Sequence, residues 1–321
     1  MSAKTFFTFI ALFVFSKTFL IGGFQRPLNE IPMYGGNSIP FSEDASEYDI
    51  ERFNALSEYY SESGWKNFYQ NNFDISMRRF NQAWLYNPKN PLVYWGFAVI
   101  MAERAKHGQP LENLSDAISF FEKAISIIHD NGSLYIDTAI ALVSLKCAEY
   151  QKNVFSNNND YIDSLILKAK KYSPNLPVVW LRSAEIACAM ELPIEALSSF
   201  QKAIELKPDF PEAINSYAWF LSTYPDDTIR DGKLAVELAL QAIIITGPMS
   251  ILCNTLAAAY AENNDFKKAI KFQKKAIYLQ NKTDTKSWLM QRMKENLVMY
   301  ESGKPVRSDP CSFVFPYPIS N

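Results

Sequence analysis

From residue 51 to residue 303, small and bulky apolar side chains recur at helical spacing, and the order in which they recur restarts at a nearly constant interval. The clearest stretch covers residues 177–210. Trp180, Ser183, Ala184 and Ala187 fall on one face of a first predicted helix, and Ala196, Phe200 and Ala203 on one face of a second that reaches Leu206. Pro208 ends the second helix and Pro211 opens the next, which sets a unit of 34 residues. The same series of small, aromatic, small and proline residues stands earlier as Ser76, Phe80, Ala83 and Pro88. Small residues let two antiparallel helices approach closely, Trp180 and Phe200 fill the space between them, and the proline prevents continuation. Helix pairs at a fixed period predict a stack in which each pair covers its neighbour.

Six copies are legible. The first carries Tyr60, Gly64, Ser76, Phe80, Ala83 and Pro88; the second has Tyr94, Phe97 and Ala98, then Ala117, Phe121 and Ala124 after an insertion. In the third, Tyr135, Thr138, Ala139 and Leu142 precede a long polar insertion and then Ile162, Ile166, Ala169 and Pro174. The fourth is the unit described above. The fifth uses Ile214, Tyr217, Ala218 and Leu221, then Ala235, Ala239 and Ala242; the sixth uses Leu256, Ala257, Tyr260, Ala269 and Ala276 around a turn at Asn263, Asn264 and Asp265. A last helix follows at residues 283–302, with Leu289, Met293, Leu297 and Tyr300 on one face and Gly303 as its stop.

This order of large, small, small, aromatic, small and proline positions resembles the tetratricopeptide repeat family. The resemblance implies an all-α fold: a right-handed α-solenoid of about six helix pairs plus a C-terminal capping helix. Phe80 to Trp84 and Tyr94 to Phe97 together with Ile31 to Gly36 also look like a group of exported bacterial tetratricopeptide proteins of no defined activity.

The ends of the chain have a different character. Lys4 precedes an apolar stretch at residues 6–15, and no acidic residue occurs before Glu30, which is a secretory signal pattern. Residues 1–23 are expected to be removed, leaving the protein exported and periplasmic; an uncleaved stretch would instead anchor it in the inner membrane. Residues 24–50 read as an extended linker, 51–303 as the helical stack, and 304–321 as a tail rich in proline and aromatic residues. Removal of residues 1–23 takes away two lysines and no acid, so a formal net charge of −2 becomes more negative, and a nucleic-acid partner is not expected.

Chemistry-bearing residues are sparse. The two histidines, His107 and His129, belong to no metal or triad motif, and the 11 glycines form no phosphate-cradling loop. Catalytic residues, cofactors and metals are accordingly all read as none. The four cysteines, Cys147, Cys188, Cys253 and Cys311, fit neither a zinc site nor a CxxC motif. Cys188 and Cys253 occupy helical positions that suit small residues and read as buried thiols, while a disulfide stays open for an exported chain.

In a stack of this kind the first helices line the inner face. Counting outward from the packing residues places Trp65, Phe68, Trp95, Val99, Ile140, Leu181, Asn215 and Trp219 on it. These positions hold no lysine or arginine, so a clamp for a peptide's terminal carboxylate is disfavoured and a groove for an apolar or helical protein segment is favoured. Two occupants remain open: a protein or peptide partner, and the chain's own residues 31–34 or 313–317. The expected role is a non-enzymatic scaffold in the cell envelope, with an assembly factor or holding chaperone as the alternative.

Overall fold

The computed structural model describes residues 18–21, 24–27, 46–105, 110–151, 159–283 and 288–314. The chain forms two compact units, residues 1–129 and residues 130–321. The expected signal segment at residues 6–15 and the apolar residues 31–34 lie outside the described residues. Among the described residues no helix is long and apolar enough to cross a membrane.

The first unit opens with a short antiparallel hairpin, β1 (Thr18–Ile21) and β2 (Phe24–Pro27), paired from Thr18 with Pro27 to Ile21 with Phe24. Thr18–Ile21 belongs to the expected signal segment and Phe24–Pro27 to the expected linker. Four helices follow: α1 (Glu47–Tyr69), α2 (Phe73–Tyr86), α3 (Pro91–Ala105) and α4 (Pro110–Ile125). Residues 47–50, counted with the linker above, are the first turn of α1, where the Ser46 hydroxyl accepts from the Asp49 amide at 3.2 Å. The pairs are α1 with α2 and α3 with α4, and both α1 and α2 touch α3. Their centre is Phe80, fully buried. Gly64 of α1 and Gly96 of α3 both approach it so closely that a Cβ on either would enter the ring.

The second unit holds α5 (Gly132–Gln151), α6 (Asn159–Tyr172), α7 (Pro177–Ala189), α8 (Pro193–Leu206), α9 (Pro211–Thr223), α10 (Gly232–Thr246), α11 (Ser250–Glu262), α12 (Phe266–Thr283) and α13 (Trp288–Glu301). Four consecutive pairs and one closing helix thus occupy it, and with the two pairs before it the expected six pairs and cap are present. Each first helix also touches the next first helix: α5 with α7, α7 with α9, and α9 with α11. Pro177, Pro193 and Pro211 stand in the first turns of their helices, where no amide partner is lost. The interior is alanine-rich, with Phe200 and Phe220 fully buried among Ala184, Ala196, Ala203, Ala213 and Ala218.

Three pairs share one tight turn. Asn71, Glu191 and Asn264 have φ of 59°, 58° and 59°, and in each the next amide bonds back to a carbonyl of the last helical turn: Asn72 to Asn67, Leu192 to Ala187, Asp265 to Tyr260. These are the first, fourth and sixth copies. The other three carry their insertions at the same place, after α3, α5 and α9.

Helix α13 closes the second unit. Met293 packs on Cys253 and Ala276, and Tyr300 on Ala257, Ala261 and Ala269. Gly303, at φ 71°, ends it as expected, with Lys304 bonding back to Met299. Residues 304–314 then run back over the second unit as a strap ending in a short turn, Pro310–Phe313.

Candidate functional site

The eight residues placed on the inner face by counting meet different fates. In the first unit Trp65 and Trp95 are half-buried and packed together, ring centroids 5.0 Å apart and edge to face. Trp65 also meets Phe80 at 5.4 Å and Phe68 at 5.8 Å. Val99 is only 9 % exposed and Leu181 of the second unit 3 %, so both sit inside their units and offer little surface. Ile136 and Val143, on the same helix as Ile140, are 1 % exposed. The reason is the contact between successive first helices, which the count left out: the side facing away from the paired helix is partly covered by the next repeat. Ile140 is half-buried.

Asn215 and Trp219, on α9, stand in an open cleft of about 170 Å³ in the second unit. Three first helices supply one side: Glu185 from α7, Asn215, Ser216 and Trp219 from α9, and Ile251, Asn254 and Thr255 from α11. The closing helix α13 supplies Trp288, Leu289, Arg292 and Met293, and the strap supplies Ser312 and Phe313. Trp219 makes no ring contact among the described residues.

The polar groups divide into engaged and unengaged. Glu185 is paired with Arg182 at 2.7 Å and accepts from the Ser216 hydroxyl at 3.4 Å. The Asn254 side-chain carbonyl accepts from Gln273 at 3.0 Å and Asn296 at 3.2 Å, which ties α11 to α12 and α13. By contrast, the buried Asn215 Oδ1 accepts no hydrogen bond among the described residues. Arg292 makes no ion pair among them either. The cleft therefore offers apolar walls, one unspent acceptor and one unspent cation.

The strap is held at four points. Arg307 pairs with Glu262 at 2.8 Å, and Glu262 also holds Arg230 at 2.8 Å. The Ser308 amide donates to the Thr223 carbonyl at 2.8 Å and its hydroxyl to Thr223 Oγ1 at 2.9 Å. Phe313 packs on Phe220 and Tyr224 with centroids 6.1 and 6.4 Å away. Finally Cys311 forms a disulfide with Cys147 of α5, across 164 residues of sequence. Part of the inner face is thus covered by the chain itself, at residues 307–314; residues 315–317 lie outside the described residues.

Cys188 and Cys253 are free and buried, as their positions suggested. Burial pushes the Cys188 thiol well above its ordinary pKa, so it stays protonated and unreactive. Among the described residues no three histidine, cysteine, aspartate or glutamate side chains come together as a metal site would require. His129 is exposed at the end of the first unit, and His107 lies outside the described residues.

A tetratricopeptide-repeat family profile matches residues 251–283, the sixth helix pair. No curated protein sequence matches the chain. Among solved structures, PilF of Pseudomonas aeruginosa is similar, with a TM-score of 0.52 and 13 % identity over 76 % of this chain and 98 % of PilF. PilW, a type IV pilus biogenesis factor, gives 0.55 and 14 % over 75 % of this chain and 99 % of its own. Cut9 in complex with Hcn1, from the anaphase-promoting complex, gives 0.57 and 12 % over 78 % of this chain and 46 % of that chain. At these identities the likeness concerns the fold.

Proposed function

We propose that this tetratricopeptide-repeat protein is a non-enzymatic scaffold that holds an apolar segment of a protein partner on the first-helix face of its second unit. The observation that carries this reading is the open cleft around Trp219, which Ile251, Trp288, Leu289, Met293 and Phe313 line together. A fold of stacked helix pairs supports protein binding, and an open apolar recess rimmed by polar groups is where such binding is favourable. Photo-crosslinking from position 216 in the native host, read by mass spectrometry, tests it. One dominant partner, lost on Trp219→Ala while the unfolding temperature holds, is the expected result. Many partners captured with similar yield would favour the holding-chaperone alternative, and a crosslinking pattern unchanged by Trp219→Ala would remove the cleft from the function.

We also propose an envelope location. Two observations support it: the charged and apolar pattern at the start of the sequence and the disulfide between Cys147 and Cys311, a bond that cytosolic thiols rarely keep. N-terminal sequencing of the native protein should find a chain beginning near residue 24; one that begins at Met1 would defeat cleavage, and a cytoplasmic fraction would defeat export.

A further inference from the structure

We infer that the cleft of the second unit selects an acidic-apolar motif, a large aliphatic or aromatic side chain with an aspartate or glutamate close beside it. The inference rests on the segment-binding reading above and adds the chemistry of the segment.

The apolar half follows from size and lining. A cavity of roughly 150 Å³ lined by apolar groups accepts a benzene ring. At about 170 Å³, between Trp219, Trp288, Leu289 and Phe313, this cleft has room for one leucine- or phenylalanine-sized side chain and not for a helix. The segment therefore inserts an anchor and lays the rest of its length outside.

The acidic half follows from charge. Two ionisable groups line the cleft, Glu185 and Arg292. Glu185 is neutralised by Arg182 at 2.7 Å within its own helix. Arg292 is half-buried, projects from α13, and has no carboxylate partner among the described residues. A guanidinium beside indole rings, partly removed from water, gains from a carboxylate in two parallel hydrogen bonds, and a basic segment would be repelled. The unengaged, buried Asn215 Oδ1 is an acceptor at the same recess, suited to a backbone N–H of the incoming segment. An occupied cleft satisfies both groups at once.

The test uses the oxidised full-length protein and a displayed library of random dodecapeptides, with the selected peptides then measured by fluorescence anisotropy. Selected sequences should share a large apolar residue with Asp or Glu within a few positions. Replacing that acid by its amide should weaken binding roughly tenfold, the size expected for one charge-assisted pair. Arg292→Gln should remove that discrimination while the apolar preference and the thermal unfolding midpoint stay. Acid-independent selection, or an acid preference that survives Arg292→Gln, overturns the charge inference and leaves the segment-binding reading intact. Selection that is unchanged by Trp219→Ala, or no selection at all, overturns both. Peptides selected only after deletion of residues 315–321 would make the chain's own tail the occupant and overturn the inference as well.

Discussion

The inner faces of the two units are written with the same letters and built to different ends. Trp65 and Trp95 of the first unit and Trp219 of the second all stand on first helices. In the first unit Trp65 and Trp95 find each other, and Phe80 lies beneath them against two glycines, so the aromatic surface is spent on itself. In the second, Trp219 has no ring partner among the described residues; its neighbours on the next first helix are Ile251, Asn254 and Thr255, too small or too polar to fill the recess. The neighbours determine whether an aromatic on such a face is core or binding surface, and the residue type alone is uninformative. The second unit has one further device that the first lacks, a strap fastened by a disulfide.

The largest effect expected is common to both units. Phe80→Ala and Phe200→Ala should each cost about 3 to 5 kcal/mol, since both rings are fully buried between helices. Chemical denaturation with hydrogen exchange resolved along the chain checks this. A mild effect at Phe80 alone would mean that the first unit's glycine-flanked centre collapses around the vacancy, and the two units would then differ in their cores as well as on their faces.

Next comes the strap. Cys147→Ala combined with Cys311→Ala opens a closed loop of 164 residues and should lower stability by about 2 to 5 kcal/mol. Exchange should quicken in the strap and α5, with the amides of α1 and α2 serving as the reference without a bridge. Unchanged stability would show that Arg307, Ser308 and Phe313 hold the strap by themselves.

The tryptophans provide the sharpest contrast. Trp65→Ala should destabilise the first unit by about 2 kcal/mol, because it breaks contacts with Phe68, Phe80 and Trp95 together. Trp219→Ala should change stability by less than about 1 kcal/mol while reducing partner binding at least roughly 30-fold. Equal destabilisation would erase the distinction drawn above.

The smallest effect belongs to the turns. Glu191→Gly should raise stability by about 0.5 to 1 kcal/mol, since a glutamate at φ 58° bears a cost that glycine avoids. Asn71→Gly should be near neutral, because asparagine tolerates this conformation.

Much of the fold was legible because each helix pair is a local object. Phe200, Ala196 and Ala203 lie within one helix, Pro208 ends it, and their spacing fixes which side is buried before any distant contact forms. The three copies with the clearest pattern are the three with the same tight turn, and the insertions fell between helices as the interruptions in periodicity implied. The site was legible only in part. Asn215 and Trp219 were placed correctly on a first-helix face that lines the cleft, whereas Val99 and Leu181 on equivalent faces are covered. Arg292 lies off the face that Leu289, Met293, Leu297 and Tyr300 share, and no pattern in that helix indicates that it borders a recess. Trp288 gave no signal either, since one turn of a closing helix has no period to compare with.

The sequence by itself determined the helices, their pairing and the side each pair buries, because these depend on residues three, four and seven apart. Tertiary structure alone decided which tryptophans are left uncovered, that a cation from α13 and an amide from α9 line one cleft, and that Cys311 returns to Cys147. Those outcomes depend on small rotations accumulated from one helix pair to the next and on a tail without periodicity. No local pattern encodes either one, and only the folded stack brings such distant residues to hydrogen-bonding or covalent distance.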